Sequence, residues 1–195
     1  PSQIAFTVKV RGKASHAGFA PQDGVHAIRI AAAAIAEMAI GRIGDDTTVN
    51  VGQIEGGRAS NIVPDYCEVS GELRSFSHKK ALEELAKVEQ IFAKEAEKRG
   101  GSIEFIRDIC YQAYKTDENE SVVKEFQKAC MACGIKSSLI ATFGGSDQNK
   151  MSEHGIPGIV MASAMHQVHS CQEYTEVSEM AQVAGIVSEL LQMKE

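Results

Sequence analysis

The chain has 195 residues, of which 44% are hydrophobic and 24% charged, and its formal net charge is −6. This composition is ordinary for a soluble globular protein, and the length suits one large domain or two small ones. Because acidic and basic residues are interspersed without a basic stripe, nucleic acid is not an expected partner. No apolar run reaches the roughly 20 residues that span a bilayer, and no signal-peptide pattern is present, so we expect a cytoplasmic protein without membrane contact.

The five cysteines indicate a reducing compartment, because their odd number and irregular spacing argue against a disulfide framework. Cys130 and Cys133 form a Cys-x-x-Cys pair, but both fall on the apolar face of a predicted helix and no second pair follows. We therefore interpret them as core residues rather than as a functional site.

The first half of the chain predicts a β-α-β-β-α-β domain. Apolar residues alternate over Ile4–Val10, as in a half-buried strand, and the alanine-rich run Gly24–Ile40 favours a helix. Further on, the pattern predicts strands at 48–55 and 67–74, a helix at 82–96 and a strand at 102–109. Gly52 is a possible bulge, and Arg74 lies on the polar face of its strand. This order is that of the split βαβ, or ferredoxin-like, fold and fills residues 1–113.

The second half reads as α-β-α-β-α, the tail of an open α/β layer. The pattern predicts a helix ending at Gly134, a strand at 138–141, a helix ending near His154, a strand at 159–162 and a final helix with Ser178 as its N-cap. So few strands would leave a parallel sheet with an unpaired edge. Since Pro1 also stands where a natural start usually carries Met, we expect an excised or truncated chain whose N-terminal part is missing.

Histidines are the first candidates for chemistry. His166 and His169 follow the predicted strand 159–162, and ligands bind at the carboxyl ends of strands in α/β sheets. A neutral imidazole there can bind zinc, although loop histidines that bond to the backbone fit equally well. His154 is at a predicted helix end, where a structural role is favoured. His16 lies in a Gly/Pro-rich loop and, taken alone, fits a surface residue.

Two further features allow a binding role or a plain structural one. Arg74 can clamp a carboxylate with two hydrogen bonds, but a single strand arginine is more often solvated or in a surface ion pair. The turn Gly144–Asp147 can cradle an anion or a substrate backbone, and it matches neither the P-loop nor the dinucleotide-binding pattern.

Six segments in chain order resemble the family of dinuclear zinc hydrolases that contains peptidase T, the glutamate-releasing carboxypeptidases and the aminoacylases. The peptidase T-like branch is the most similar, and the resemblance covers nearly the whole chain. The segments are Ala14–Gly18 with Pro21 and Gly24, Asn50–Gly57 with Asn61–Pro64, Gly71–Ser75, Gly144–Asp147, His154–Pro157 and Met165–Ser170.

The resemblance implies a fold and a division into domains. Residues 1–113 would be a ferredoxin-like lid that makes a homodimer contact. Residues 114–195 would be the C-terminal part of an incomplete three-layer α/β zinc-peptidase domain, whose first half would precede Pro1. The fold class is therefore α/β, with an α+β lid.

The resemblance also implies roles for individual residues. His169 would be the last zinc ligand, and His16 would be catalytic, reaching the partner subunit's active site and stabilising the oxyanion. Arg74 would hold a substrate carboxylate. The other substrate-contacting positions would be Asn61, Gly145, Ser146 and Asp147.

The remaining zinc ligands of the family have no counterpart in the chain. No histidine is followed two residues later by Asp, and the pair Glu83–Glu84 lies in a predicted amphipathic helix of the lid. One ligand of about five is too few to hold zinc tightly, so we expect the isolated chain to be inactive. The parent enzyme would use two zinc ions per subunit to hydrolyse small peptides, as a tripeptidase or aminopeptidase. The alternatives are an N-acyl amino acid amidohydrolase of the same family and, for the isolated chain, a non-catalytic module for dimerisation and substrate binding.

Overall fold

The computed structural model describes residues 1–192 and divides into two compact units. The first unit contains residues 1–114 together with the short segment Phe143–Gly145, and the second contains residues 115–142 and those from Ser146 onward. Within the described residues, no helix combines the length and the apolar character needed to cross a membrane.

The first unit is a five-stranded antiparallel sheet with two helices, which confirms the predicted fold class. Its elements are β1 Ser2–Arg11, α1 Ala27–Glu37, β2 Gly41–Ile43, β3 Thr47–Gly56, β4 Tyr66–Ser75, α2 His78–Lys98 and β5 Ser102–Tyr111. The strand order is β2-β3-β4-β1-β5, and the longer four strands have the ferredoxin-like arrangement. The three-residue strand β2 was not predicted, because it is too short for an alternating pattern.

One face of this sheet is apolar and packs on both helices. In β1, Ile4, Phe6, Val8 and Val10 are all buried, and the residues between them are only half-buried. The alanine-rich face of α1 and the Leu85, Val88 and Phe92 face of α2 join them in one core. The opposite face of the sheet therefore carries polar side chains, including Arg74.

The strand β3 has an irregular middle and an open edge. The pairing of β3 with β4 shifts between Val51 and Gln53, so the bulge predicted at Gly52 is present. On its other side, β3 pairs with β2 only over Thr47–Val49. Within the part of the chain that the structure describes, residues 50–56 have no strand neighbour on that side.

Up to residue 192, the second unit contains three helices: α3 Ser121–Ala132, α4 Asp147–Glu153 and α5 Val177–Gln192. The strands predicted at 138–141 and 159–162 are wrong, because neither segment pairs with another in the described residues. A strand exists only through hydrogen bonds to a neighbour, and apolar character alone does not create one. The helix α5 begins at Val177 rather than after Ser178, since the carbonyl of Glu176 accepts the hydrogen bond from the Met180 amide at 3.0 Å.

The core of the second unit is small. Its central cluster consists of the buried residues Ala129, Cys130 and Ile186, with partly buried side chains such as Cys133 packed around them, and Val123 is buried as well. All five cysteines are free thiols, as the sequence predicts, and Cys130 is a core residue.

Candidate functional site

The loop between β1 and α1 fixes the tautomer of His16. The Nδ1 atom of His16 accepts hydrogen bonds from the backbone amides of Gly18 at 3.1 Å and Phe19 at 3.2 Å. Because an accepting ring nitrogen carries no proton, the neutral imidazole has its proton on Nε2. The Phe19 ring packs against the imidazole at a tilt of 32° with centroids 4.3 Å apart, and His16 itself is exposed. His16 thus offers an Nε2–H donor to a ligand.

The structure brings Asn61 next to this loop. The amide of Ala17 donates to the carbonyl of Asn61 at 2.9 Å, and His16 and Ile62 form an antiparallel bridge. Two of the predicted site residues, 45 positions apart in the sequence (61 − 16), therefore lie on neighbouring segments of the first unit.

The guanidinium of Arg74 is neither solvated nor in a simple surface pair. Its Nε and Nη2 atoms donate to the two carboxylate oxygens of Glu72 at 2.9 and 3.2 Å, and Nη1 donates to the carbonyl of Phe143 at 2.9 Å. The hydrogen bonds with Glu72 raise the pKa of Arg74. Glu72 also accepts a hydrogen bond of 2.5 Å from Gln3. Arg74 is therefore fixed within the sheet face.

Arg74 belongs to a row of side chains that crosses all five strands. The strand registers pair its members directly, one from each strand, and place them on the polar face. From β2 to β5 the row consists of Arg42, Thr48, Arg74, Gln3 and Tyr111. We call it the transverse row.

The segment Phe143–Gly145 contacts both ends of the transverse row. The Arg42 guanidinium lies over the Phe143 ring at 4.4 Å from its centroid, a cation–π geometry. At the other end, a Cβ atom on Gly145 would be 1.7 Å from the Tyr111 hydroxyl oxygen, so a side chain there would collide with the tyrosine as it is placed. Burial raises the pKa of this tyrosine. The sheet face therefore holds the segment that contains Gly145.

Ser146 and Asp147 begin helix α4 in the second unit. The Ser146 amide donates to the Oδ1 atom of Asn149 at 3.2 Å, and Asp147 occupies the first turn with its side chain exposed. This arrangement is a helix N-terminus, where acidic residues are favourable. It accounts locally for both residues and leaves the Asp147 carboxylate accessible.

His169 lies in an exposed loop of the second unit with an unusual backbone. Its φ is 64°, and Ala164 and Gln167 are also left-handed, with φ of 60° and 51°. Non-glycine residues in this region cost roughly 1–3 kcal/mol each, and such residues concentrate at functional sites. The His169 amide donates to the Glu173 carboxylate at 3.0 Å, and the structure gives the imidazole no fixed partner among the described residues.

The side chain of His166 contacts two residues of its own unit. The Nε2 atom of His166 lies 2.5 Å from a Glu179 carboxylate oxygen, and its ring stacks on Tyr174 with centroids 4.8 Å apart. Its contacts are thus structural.

Across residues 1–192, no group of three or more His, Cys, Asp or Glu side chains is placed to hold a metal ion. A dinuclear metal site therefore does not fit the described residues by themselves.

The sequence-based predictions missed Glu72, Phe143 and Tyr111. Glu72 had a usable signal, because residues two apart in a strand share a face and a carboxylate there can pair with Arg74. Phe143 and Tyr111 had none, since their contacts depend on the three-dimensional course of the chain.

Comparison with known proteins agrees with this fold. Residues 2–100 match the family model described as the peptidase dimerisation domain of the M20 peptidases. The antiparallel sheet, the two helices and this match define a peptidase dimerisation domain. The chain belongs to the M20 peptidase family.

Three known proteins are similar to this chain over nearly its whole length. The aminopeptidase PepT from Bacillus cereus is 36% identical with a TM-score of 0.86, and a tripeptidase from Staphylococcus aureus is 31% identical with a TM-score of 0.91; each comparison covers 98% of this chain and 51% of the other. The Bacillus subtilis protein YqjE, described as uncharacterized, is 34% identical over 98% of this chain and 52% of its own length. The chain thus spans about half the length of these relatives.

Proposed function

We propose that the chain is the lid and the C-terminal part of the catalytic domain of a metal-dependent peptidase that cleaves small peptides, as a tripeptidase or aminopeptidase. The similarity to PepT and to the tripeptidase supports the substrate class. In this proposal residues 1–113 are the lid, residues 114–195 are the catalytic part, and the enzyme is cytoplasmic. Exposed apolar side chains in the second unit, such as Ile140 and Val177, at 82% and 83%, favour a further packing partner for it.

The metal is proposed to be zinc, with two ions per subunit. His169 would be one ligand, and its exposed imidazole on a left-handed loop is compatible with that role. Because no further ligands are grouped with it in residues 1–192, the others would come from outside the described residues. When bound, such ions activate water and polarise the scissile carbonyl.

His16 supplies the observation on which the proposed activity depends. Its Nδ1 atom accepts two backbone hydrogen bonds, so Nε2 carries the proton and can donate to the carbonyl oxygen as that oxygen becomes negative. A donor held in this way requires no change of tautomer during the reaction. We place His16 in the active site of the partner subunit of a homodimer, where it would stabilise the oxyanion.

Arg74 and Asn61 are proposed to bind the substrate's carboxylate end. Glu72 and Phe143 engage three of the five N–H donors of Arg74, so one donor on each Nη atom remains for a ligand among the described contacts. Asn61 is exposed beside His16, and Gly145, Ser146 and Asp147 are proposed to contact the substrate as well.

The homodimer is proposed to form through the lid. Residues 50–56 of β3 have an open edge, and an edge of this kind can pair with a second chain. Next to it, the outer face of α1 exposes Ala32 and Ala36, and Ile54 is 49% exposed. A strand edge bordered by small and apolar side chains is suited to a second copy of the chain.

An N-acyl amino acid amidohydrolase is the second candidate, because the carboxylate that Arg74 would bind is common to peptides and N-acyl amino acids. As an isolated chain, the polypeptide is proposed to act only in dimerisation and substrate binding. Stoichiometric zinc together with turnover by the isolated chain would disprove that last statement. Assays of the full-length enzyme with a panel of tripeptides and N-acyl amino acids distinguish the peptidase from the amidohydrolase.

The decisive variant is His16→Ala in the full-length enzyme. We expect kcat to fall by about 10²–10³-fold with KM nearly unchanged, because the lost donor acts on charge that develops in the transition state. His26→Ala is a matched control, since His26 is also exposed and its Nδ1 also accepts a backbone amide, from Arg29 at 3.2 Å. An unchanged kcat in His16→Ala, or an equal loss in both variants, would contradict the proposal.

A further inference from the structure

We propose that Glu72 is a positioning residue that holds Arg74, and through Arg74 the segment Phe143–Gly145, in the geometry that binds a substrate carboxylate. The inference rests on the carboxylate-binding role proposed for Arg74. It adds a residue that does not touch the substrate and acts only through the guanidinium.

The first step is the planar contact between the two side chains. Both oxygens of Glu72 receive hydrogen bonds from one edge of the guanidinium, through Nε and Nη2. Such a two-bond contact fixes the plane as well as the position of an arginine. The side chain of Arg74 is 27% exposed and that of Glu72 is 36% exposed, so the pair is partly shielded from water.

The second step is the anchoring of Glu72 itself. Gln3, on the neighbouring strand β1, donates to the same carboxylate at 2.5 Å. Gln3 therefore holds the carboxylate from the neighbouring strand, and the carboxylate in turn holds the guanidinium. Without Glu72, the long side chain of Arg74 would regain rotamer freedom that binding a substrate must then remove.

The third step links Arg74 to a second substrate-contacting element. Its Nη1 atom donates to the carbonyl of Phe143, two residues before Gly145. Two other residues hold the Phe143 side chain. The ring of Phe76 lies against it, with the two ring centroids 4.3 Å apart, and the guanidinium of Arg42 lies over its face. Displacement of Arg74 would therefore loosen one main-chain contact of the segment while its aromatic contacts stay in place.

The test compares Glu72→Ala and Glu72→Gln in the metal-loaded full-length enzyme. Each is assayed with a peptide bearing a free C-terminal carboxylate and with the same peptide amidated. For Glu72→Ala we expect KM for the free acid to rise on the order of tenfold, with kcat within about twofold and the amide unaffected. Glu72→Gln retains one acceptor, so its KM should lie between that of Glu72→Ala and the wild type. Glu68→Gln is the matched control, because Glu68 lies on the same strand face but bonds to Tyr66 rather than to Arg74.

Arg74→Ala and the double variant distinguish the two levels of the proposal. If Glu72 acts through Arg74, adding Glu72→Ala to Arg74→Ala should raise KM no further. An acid-selective effect of Arg74→Ala with none for Glu72→Ala and Glu72→Gln would overturn the positioning role alone. Equal effects of Arg74→Ala on acid and amide would overturn the carboxylate-binding role and the positioning role with it.

Discussion

The absence of a side chain at Gly145 allows the segment Phe143–Gly145 to lie close against Tyr111. A Cβ at this residue would be 1.7 Å from the Oη atom and 2.2 Å from the Cζ atom of Tyr111, far inside normal contact. The Tyr111 ring projects from β5, so a side chain at residue 145 would require either the ring to turn or the segment to move. The glycine therefore allows the segment to lie directly on the tyrosine ring.

The variant Gly145→Ala should preserve the fold and reduce substrate binding. The added methyl group must displace the segment or the Tyr111 ring, and a shift of about 1 Å in a group proposed to contact the substrate can reduce kcat/KM by up to about a hundredfold. Steady-state kinetics of the full-length enzyme measures this. Gly185→Ala in α5 is the control, because its Cβ would meet only Cys133 Sγ at an ordinary 3.5 Å. Equal activity of the two variants would contradict the close packing at Gly145.

At this scale the sequence predicted candidates but not their partners. His16, Asn61 and Arg74 were identified from motifs, and their roles remain proposals. The contact of Arg74 with Phe143 joins positions 69 apart, so no local pattern indicates it. The tautomer of His16 was likewise not predicted, because it depends on the direction of two backbone amides in a loop.

Among the elements, the edge of β3 and the outer face of α1 form the surface proposed for dimerisation. The bulge at Gly52 increases the local twist of the strand, and β2 covers only Thr47–Val49. Strand β5, at the opposite end of the sheet, also has an edge and an exposed apolar residue, Ile106, at 40%. The two edges can therefore be compared directly.

The substitution Ile54→Lys should weaken the dimer, whereas Ile106→Lys should not. Loss of one buried isoleucine at an interface corresponds to about 1.5–3 kcal/mol, or roughly 10- to 100-fold in the dissociation constant. Sedimentation equilibrium of both variants, with circular dichroism to verify folding, gives the constants. If Ile106→Lys alone produces monomers, the dimer uses the edge of β5 and our assignment is wrong.

The long strands and the two helices of the first unit were predicted because their signals are local. Alternation over Ile4–Val10 and helical spacing from Leu82 onward are properties of each segment alone. The strands predicted at 138–141 and 159–162 failed because strand formation also needs a hydrogen-bonded neighbour, which neither segment has in the described residues.

Over the whole molecule, the two units differ greatly in the size of their cores. The first unit buries side chains from β1, β3, β4 and both helices, including Cys67, and Ile103 and Phe105 of β5 pack against them partly buried. The core of the second unit is built around three buried residues, one of which is Cys130. Burial raises the pKa of both thiols. For Cys130, the electrostatic effect of the neighbouring Cys133 raises the pKa further. Each cysteine therefore reports on the opening of its own unit.

We expect Cys130 to become reactive at a lower urea concentration than Cys67 in the isolated 195-residue chain. Both thiols are protected in the folded state, because a buried thiol with a raised pKa forms little of the reactive thiolate. A smaller core gives a less stable unit, which opens first. Pulsed alkylation across a urea series, followed by peptide mass spectrometry, gives a midpoint for each cysteine. Exposed Cys171 should react without urea, and coincident midpoints for Cys67 and Cys130 would indicate a single cooperative transition.

The membership of Phe143–Gly145 in the first unit has a consequence for recombination between relatives. A chimaera that exchanges only residues 1–114 would place these three residues on a foreign sheet face, without a guarantee of the arginine and tyrosine that contact them here. The first unit is thus built from two separate stretches of the sequence. Exchange of the first unit between relatives should therefore preserve this packing only when Phe143–Gly145 is exchanged together with residues 1–114.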